Sequence, residues 1–258
     1  DRSRHQKPRK HKVMGRLDGL KQWVADLSGM FFPHLCEVCD TPLTHGEEIL
    51  CTECRYNMPL CDFHRDPFNT IHWRPMRHVP IDRAAAYFYY SRDSRYANLI
   101  LSAKYRGRPR IMQILAAEFA RRIQPDGFFT GIDCIIPVPM HPSKMRRRGY
   151  NQADHIAAGL SEVTGIPVAH NLIATRRHST QTHKGAYGRW LNARNTYAVL
   201  NPSQLLTLPA HRPQHPHILI VDDVITTGST LASCCEALHQ ALPTATISVL
   251  TLAATELQ

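Results

Sequence analysis

Two rhythms of apolar positions take turns along this chain. Ile111, Leu115, Phe119 and Ile123 recur four apart, which marks a helix over residues 111–123. Similar spacing predicts helices over 96–105, 152–164 and 229–242. Between them lie short runs without a polar interruption, as at 218–221, of the kind found in strands covered on both faces. Strands are expected at 83–90, 133–138, near 167–169, at 218–221 and at 246–252. Such alternation implies an α/β domain with a mostly parallel sheet flanked by helices. Nearer the start, Leu17, Leu20, Val24, Leu27 and Phe31 give a short amphipathic helix that ends before Pro33.

These patterns divide the chain into four parts. Residues 1–13 read as a disordered basic tail, 14–58 as the amphipathic helix with a cysteine-rich module, 59–80 as a linker and 81–258 as the sheet domain. The linker is punctuated by Pro59, Pro67, Pro75 and Pro80. The chain opens without Met, and Met14 precedes the amphipathic segment, so 1–13 are expected to be upstream read-through or a solvated arm.

Composition narrows the class. The 258 residues are 43% hydrophobic, enough for one full α/β domain with a small module. No apolar run approaches the roughly 18 residues of a membrane span, and Met30, Phe31 and Phe32 are too short a run for a signal-peptide core. A cytoplasmic protein is expected. The formal charge of +10 is concentrated at the start: Arg2, Arg4, Lys7, Arg9, Lys10, Lys12 and Arg16 stand against Asp1, leaving only +4 for the rest. The basic balance therefore reads first as a solvated tail and only second as a nucleic-acid arm.

Four of the eight cysteines form Cys36-Glu-Val-Cys39 and Cys51-Thr-Glu-Cys54. Each pair is a knuckle that aims two thiolates at one ion, and four thiolates complete a tetrahedral structural zinc site. Cys61 and His64 follow two residues apart; either is an alternative ligand, though an apolar Cys61 beneath the module is the preferred reading. His211, His215 and His217 fall in a Pro-rich stretch that looks like a surface connection and are assigned no metal.

The richest chemistry follows the apolar run at 218–221. Asp222 and Asp223 come at its carboxyl end, where open α/β sheets bind their ligands. Thr226, Thr227, Gly228, Ser229 and Thr230 then supply hydroxyls and one tight bend at a helix N-terminus, a natural place for a phosphate. A P-loop is excluded because no Lys follows Gly228. A receiver-type acidic pocket does not account for the hydroxyl loop, and the plain alternative is a strand, a turn and an N-cap. The segment resembles the 5-phosphoribosyl-1-pyrophosphate (PRPP) motif of the phosphoribosyltransferases. The resemblance implies that Asp222 and Asp223 hold the ribose hydroxyls, that Thr226 to Thr230 wrap the 5-phosphate, and that Mg2+ accompanies the ligand.

A narrower likeness rests on three further segments. Pro137-Val138-Pro139-Met140-His141 ends the strand at 133–138, Arg148-Gly149-Tyr150-Asn151-Gln152 follows, and Lys104-Tyr105-Arg106-Gly107 lies upstream. With the four-cysteine module, these are similar to the ComF family of bacterial competence proteins, from Met14 to the C-terminus. That resemblance implies a phosphoribosyltransferase-type fold with a zinc finger, and an association with DNA uptake in natural transformation.

By the same likeness the turn at Pro137, Val138, Pro139 and Met140 cradles pyrophosphate, with free amides at Val138 and Met140. Lys144, Arg146, Arg147 and Arg148 bring charge close by, some on a wet face. Asn151 and Gln152 are helix caps or ligand contacts in equal measure. Residues 176–192, including Gln181 and Lys184, resemble the mobile loop that closes over PRPP, with a plain surface loop as the competing reading. Three functions follow: transfer of a phosphoribosyl group with release of pyrophosphate, binding of single-stranded DNA, or sensing of PRPP without turnover. Tyr105, Tyr150, Tyr187 and Trp190 are the stacking candidates for DNA, with core packing explaining each at least as well.

Overall fold

A parallel sheet of four strands organises the domain, and the cleft opens where its strands end. The computed structural model describes residues 34–66, 69, 71, 79–175, 196–206 and 215–255. The strands are β1 (Ala84–Tyr89), β2 (Cys134–Pro137), β3 (Leu172–Ala174), β4 (Tyr197–Val199), β5 (His217–Ile225) and β6 (Thr246–Ala254). In the main sheet the order is β1-β6-β5-β2, every pair parallel, with Ile220 opposite Ile136 on one side and Val249 on the other. Strands β3 and β4 form a separate antiparallel pair.

The helices are α1 (Thr52–Tyr56), α2 (Ala97–Tyr105), α3 (Arg110–Ile123), α4 (Pro142–Arg148), α5 (Gln152–Thr164), α6 (Pro202–Leu206) and α7 (Ser229–Ala241). Alternate residues of a strand face opposite ways. Leu219, Val221, Leu250 and Leu252 accordingly join the cluster built with α2, α3 and α5, whereas Ile218, Ile220, Ile247 and Val249 join the one built with α7 and the β3–β4 pair. Coverage on both faces is why these strands read as continuous apolar runs.

The helices at 152–164 and 111–123 agree with the periodicity to within a residue. Asn151 caps α5 by accepting from the Ala153 amide at 3.4 Å, and Gly165 ends it at φ 72°. Gly159 lies where α5 meets α3: a Cβ there would be 2.2 Å from the Gln113 carbonyl oxygen, so only glycine permits this approach.

Several expectations are corrected. The strand expected at 218–221 runs on to Ile225, because β6 continues beside it through the pairs Asp222 with Thr251 and Ile225 with Ala254. Asp222 and Asp223 are thus inside β5, not after it. The strand near 167–169 amounts to a single bridge from Val168 to Ile135. The charge run after Pro139 forms α4, started by Pro142 and the His141 ring, which accepts from the Ser143 amide, and stopped by Gly149 at φ 86°. His217 is not on a surface connection: it opens β5, is buried, and its Nε2 lies 2.8 Å from Ser248 Oγ. The expected tail at 1–13, the helix at 17–32 and the loop at 176–192 lie outside the described residues.

The cysteine module packs on the α2 face. Cys36, Val38, Leu50, Cys54 and Met58 belong to the same buried cluster as Phe88, Leu99 and Ile100. Residues after it continue along the outer edge of β1, where Leu60 bridges Phe88 and the Cys61 amide donates to the Tyr87 carbonyl.

Candidate functional site

The sulfur atoms of Cys36, Cys39, Cys51 and Cys54 all lie within 4.8 Å of one another, with Cys39 and Cys51 3.6 Å apart. Four thiolates about 2.3 Å from one zinc would be spaced about 3.8 Å, so the set fits that ion. The knuckle backbone supports it: the Cys51 amide points at Cys36 Sγ and the Cys54 amide at Cys51 Sγ, both at 3.4 Å. Hydrogen bonds from Thr41 pull the Cys39 thiol down to about 6, while burial pushes Cys54 up. Glu47 braces the loop between the knuckles, accepting from the amides of Thr44 and Thr52 and from the Thr52 hydroxyl. Cys61 lies instead in the buried cluster on the opposite face of the sheet, and His64 is engaged by Asp126 at 2.8 Å, so neither belongs to the quartet.

At the carboxyl edge of the sheet a cleft of about 1400 Å³ opens between the strand ends and the helices that follow them. Among its walls are Asp222, Asp223, Thr226, Thr227 and Thr230 from β5 and α7, and Val138, Pro139, Met140, Lys144, Arg148 and Asn151 from the turn after β2 through to α5. Gly228 and Ser229 do not line it. Gly228, at φ 78°, makes the bend, and Ser229 begins α7 with its hydroxyl 3.2 Å from that of Thr227.

Because they are adjacent in a strand, the two acids point to opposite sides of the sheet. Asp223 turns toward α2, where Lys104 Nζ lies 2.9 Å from its Oδ1. Asp222 turns toward Tyr197 and Cys234, and accepts from the Asp223 amide at 2.8 Å. Burial, and then the neighbouring Asp223, push the Asp222 carboxyl up to about 7. One strand end therefore offers two carboxyls of different character, beside a helix N-terminus whose first turn carries no acid.

The turn after β2 departs from expectation at one position. The Val138 amide is not free: it donates to the Val221 carbonyl at 2.9 Å, continuing the ladder between β2 and β5. Asn151 combines capping with position at the cleft, since its Nδ2 also donates to the Val138 carbonyl at 3.0 Å. Gln152, fully enclosed, donates to the Ala103 carbonyl and accepts from Arg148 at 2.5 Å. Of the cations after the turn, Lys144, Arg147 and Arg148 line the cleft and Arg146 does not. Gln181 and Lys184 lie outside the described residues.

Sequence patterns single out the segment at Lys104 but not its partner, and miss two further contributions. Lys104 meets Asp223, Tyr197 closes the side toward the β3–β4 pair, and Tyr89, Tyr90, Ser91 and Arg92 come from the end of β1. The last group had a signal: in a parallel sheet every strand ends at the same edge, so the residues after β1 share that edge with Asp222. No helix among the described residues is long and apolar enough to cross a membrane.

No protein-family model matches the chain. It is 37% identical over 100 residues to Competence protein F of Haemophilus influenzae, covering 38% of this chain and 41% of that protein. It is 31% identical over 138 residues to DNA utilization protein YhgH of Salmonella typhi, covering 52% and 56%. Against DNA utilization protein YhgH of Shigella flexneri it is 30% identical over 212 residues, covering 78% of this chain and 88% of that one. With a likeness of that extent, and a four-cysteine cluster with the geometry of a zinc site, the chain belongs to the ComF family of Competence protein F and DNA utilization protein YhgH.

Proposed function

We propose that the cleft binds PRPP with Mg2+ and that the protein acts in the handling of incoming DNA. One observation carries the ligand: the acid pair of β5 and the hydroxyl loop of α7 face the same cleft as the turn after β2 and Lys144. A hydroxyl-rich helix start and a cationic turn in one cleft suit a sugar phosphorylated at both ends. Asp222 and Asp223 take the ribose hydroxyls, and Thr226, Thr227 and Thr230 with the first turn of α7 take the 5-phosphate. Met140, Lys144 and Arg148, which line the same cleft, would take the pyrophosphate, with Mg2+ to help neutralise its charge. As a transferase the protein would release pyrophosphate from the ribose C1, its own residues serving to position and to stabilise charge.

The DNA role rests on the relatives, which are named for competence and DNA utilization. A binding mode for single strands has its own supporting observation. Tyr105 is 68% exposed at the rim of the cleft, and the Arg148 guanidinium lies 5.4 Å from its ring centre. A cation beside an open aromatic face is the unit on which bases stack. No disulfide joins any of the eight cysteines, which suits a cytoplasmic setting.

Calorimetry with PRPP and Mg2+ tests the ligand, and pyrophosphate release with and without single-stranded DNA separates turnover from sensing. Binding with no release under any acceptor would make the protein a PRPP sensor. Absence of binding would overturn the reading.

A further inference from the structure

The cysteine module grips helix α2 at its start, and grips the turn that follows its end. At its N-cap, Tyr96 is buried and donates its hydroxyl to the carbonyl of Cys54 at 2.9 Å. Just beyond its last turn, Arg108 forms an ion pair with Glu37, which sits between Cys36 and Cys39 in the first knuckle. Leu99 and Ile100 of the same helix share a buried cluster with Cys36, Leu50 and Cys54. Between these grips α2 carries Lys104, whose ammonium lies 2.9 Å from Asp223. The end of the helix is also held from the cleft side, where Tyr150 and Gln152 both donate to the Ala103 carbonyl, at 2.6 and 3.2 Å.

We propose that Tyr96 and Arg108 are positioning residues through which the four-thiol module sets Lys104 on Asp223, so that occupancy of the metal site governs the charge of the cleft. The Cys54 carbonyl and the Glu37 side chain are carried by the two knuckles that the four thiols bring together. The ion is the direct link between the four sulfurs, so emptying the site removes the tie that joins the two knuckles. A helix is stiff over this length, and the eight-residue rise from Tyr96 to Lys104 is about 12 Å. Movement at the gripped end is therefore delivered to the ammonium, and a shift on the order of 1 Å ends a direct ion pair. Without Lys104 in place, Asp223 faces the ligand without its ion-pair partner. The consequence for affinity rests on the phosphosugar reading of the cleft; the coupling itself does not.

The test uses the full zinc-loaded chain without ligand, reading the acetylation rate of each lysine by acetic anhydride with mass spectrometry. Lys104 should be protected in the parent protein. In Tyr96→Phe combined with Arg108→Gln, with zinc content unchanged by elemental analysis, Lys104 should react roughly threefold faster or more. Lys144, on α4, should not change. Chelation of the metal in the parent protein should give the same rise at Lys104. An unchanged Lys104 rate in the zinc-loaded double variant would overturn the coupling, whatever PRPP does. Titration with PRPP then links the coupling to the cleft: the double variant and Lys104→Met should each weaken binding, and their effects should not add when combined. Additive losses would overturn that link. No PRPP binding in the parent protein would overturn the phosphosugar reading, while the acetylation rates would still decide the coupling.

Discussion

The cysteine module and the cleft build their sites in opposite ways. In the module, Cys36, Cys39, Cys51 and Cys54 come from two short knuckles whose own backbone amides support the thiols. In the cleft, Lys104, Val138, Asn151, Tyr197 and Asp222 come from separate elements that meet only because parallel strands end along one edge. The first site is a local set of thiols spaced to hold one ion, and the second rests on a sheet covered on both faces. Losing one side chain should therefore unmake the module but only empty the cleft.

The largest expected effect follows directly. Cys54→Ser removes a buried thiol from the quartet, and should abolish stoichiometric zinc by elemental analysis and lower stability by several kcal/mol, because structural zinc binding is folding energy. Retained zinc and an unchanged melting temperature would break the comparison at its root.

Next comes the cleft. Asp223→Asn with Thr227→Ala deletes one carboxylate and one hydroxyl facing it, and should weaken PRPP binding about tenfold to a thousandfold by calorimetry, since a hydrogen bond to a charged group contributes about 1.5–3 kcal/mol. Zinc content should not move. Unchanged affinity would remove the phosphosugar site.

A smaller effect separates fold from site. Gly159→Ala brings a Cβ within 2.2 Å of the Gln113 carbonyl, and should cost about 1–3 kcal/mol in denaturant unfolding. PRPP affinity at saturating folded fraction should stay close to the parent value. A large loss of affinity would mean that the α3–α5 contact sets the cleft as well as the core.

A fourth effect is a pH dependence. Burial and Asp223 raise the Asp222 carboxyl in the folded protein from the usual 3.8 to about 7. Between those values the folded state holds the proton more than the unfolded state does, so this group's contribution to stability falls as pH rises through the window. Comparison with Asp222→Asn should show that decline in the parent protein and its loss in the variant. Parallel stability curves across the window would show that Asp222 is ionised like an exposed acid.

What was readable in advance follows the same division. The zinc knuckles and the hydroxyl loop were legible because each is set within a few residues, by two-residue gaps or by a helix start. Helix α5 was legible because its stripe and its caps agree. The end of β5 was not: Asp222 and Asp223 look like a strand terminus, yet β6 beside them supplies partners that carry the ladder to Ile225. Helix α4 hid as a charge run because a short helix with no buried residue leaves no apolar stripe.

The sequence by itself determined the alternation of elements, the ligand-type spacing of four cysteines and the acid pair beside a phosphate-type loop, all local properties of the chain. Only the tertiary structure decided that the Val138 amide belongs to the sheet, that Asp222 and Asp223 face different neighbours, and that Lys104 meets Asp223 at 2.9 Å. Those outcomes depend on which strands pair and which helix covers them, and a side chain meets its partner across such distances of chain only once burial has fixed both.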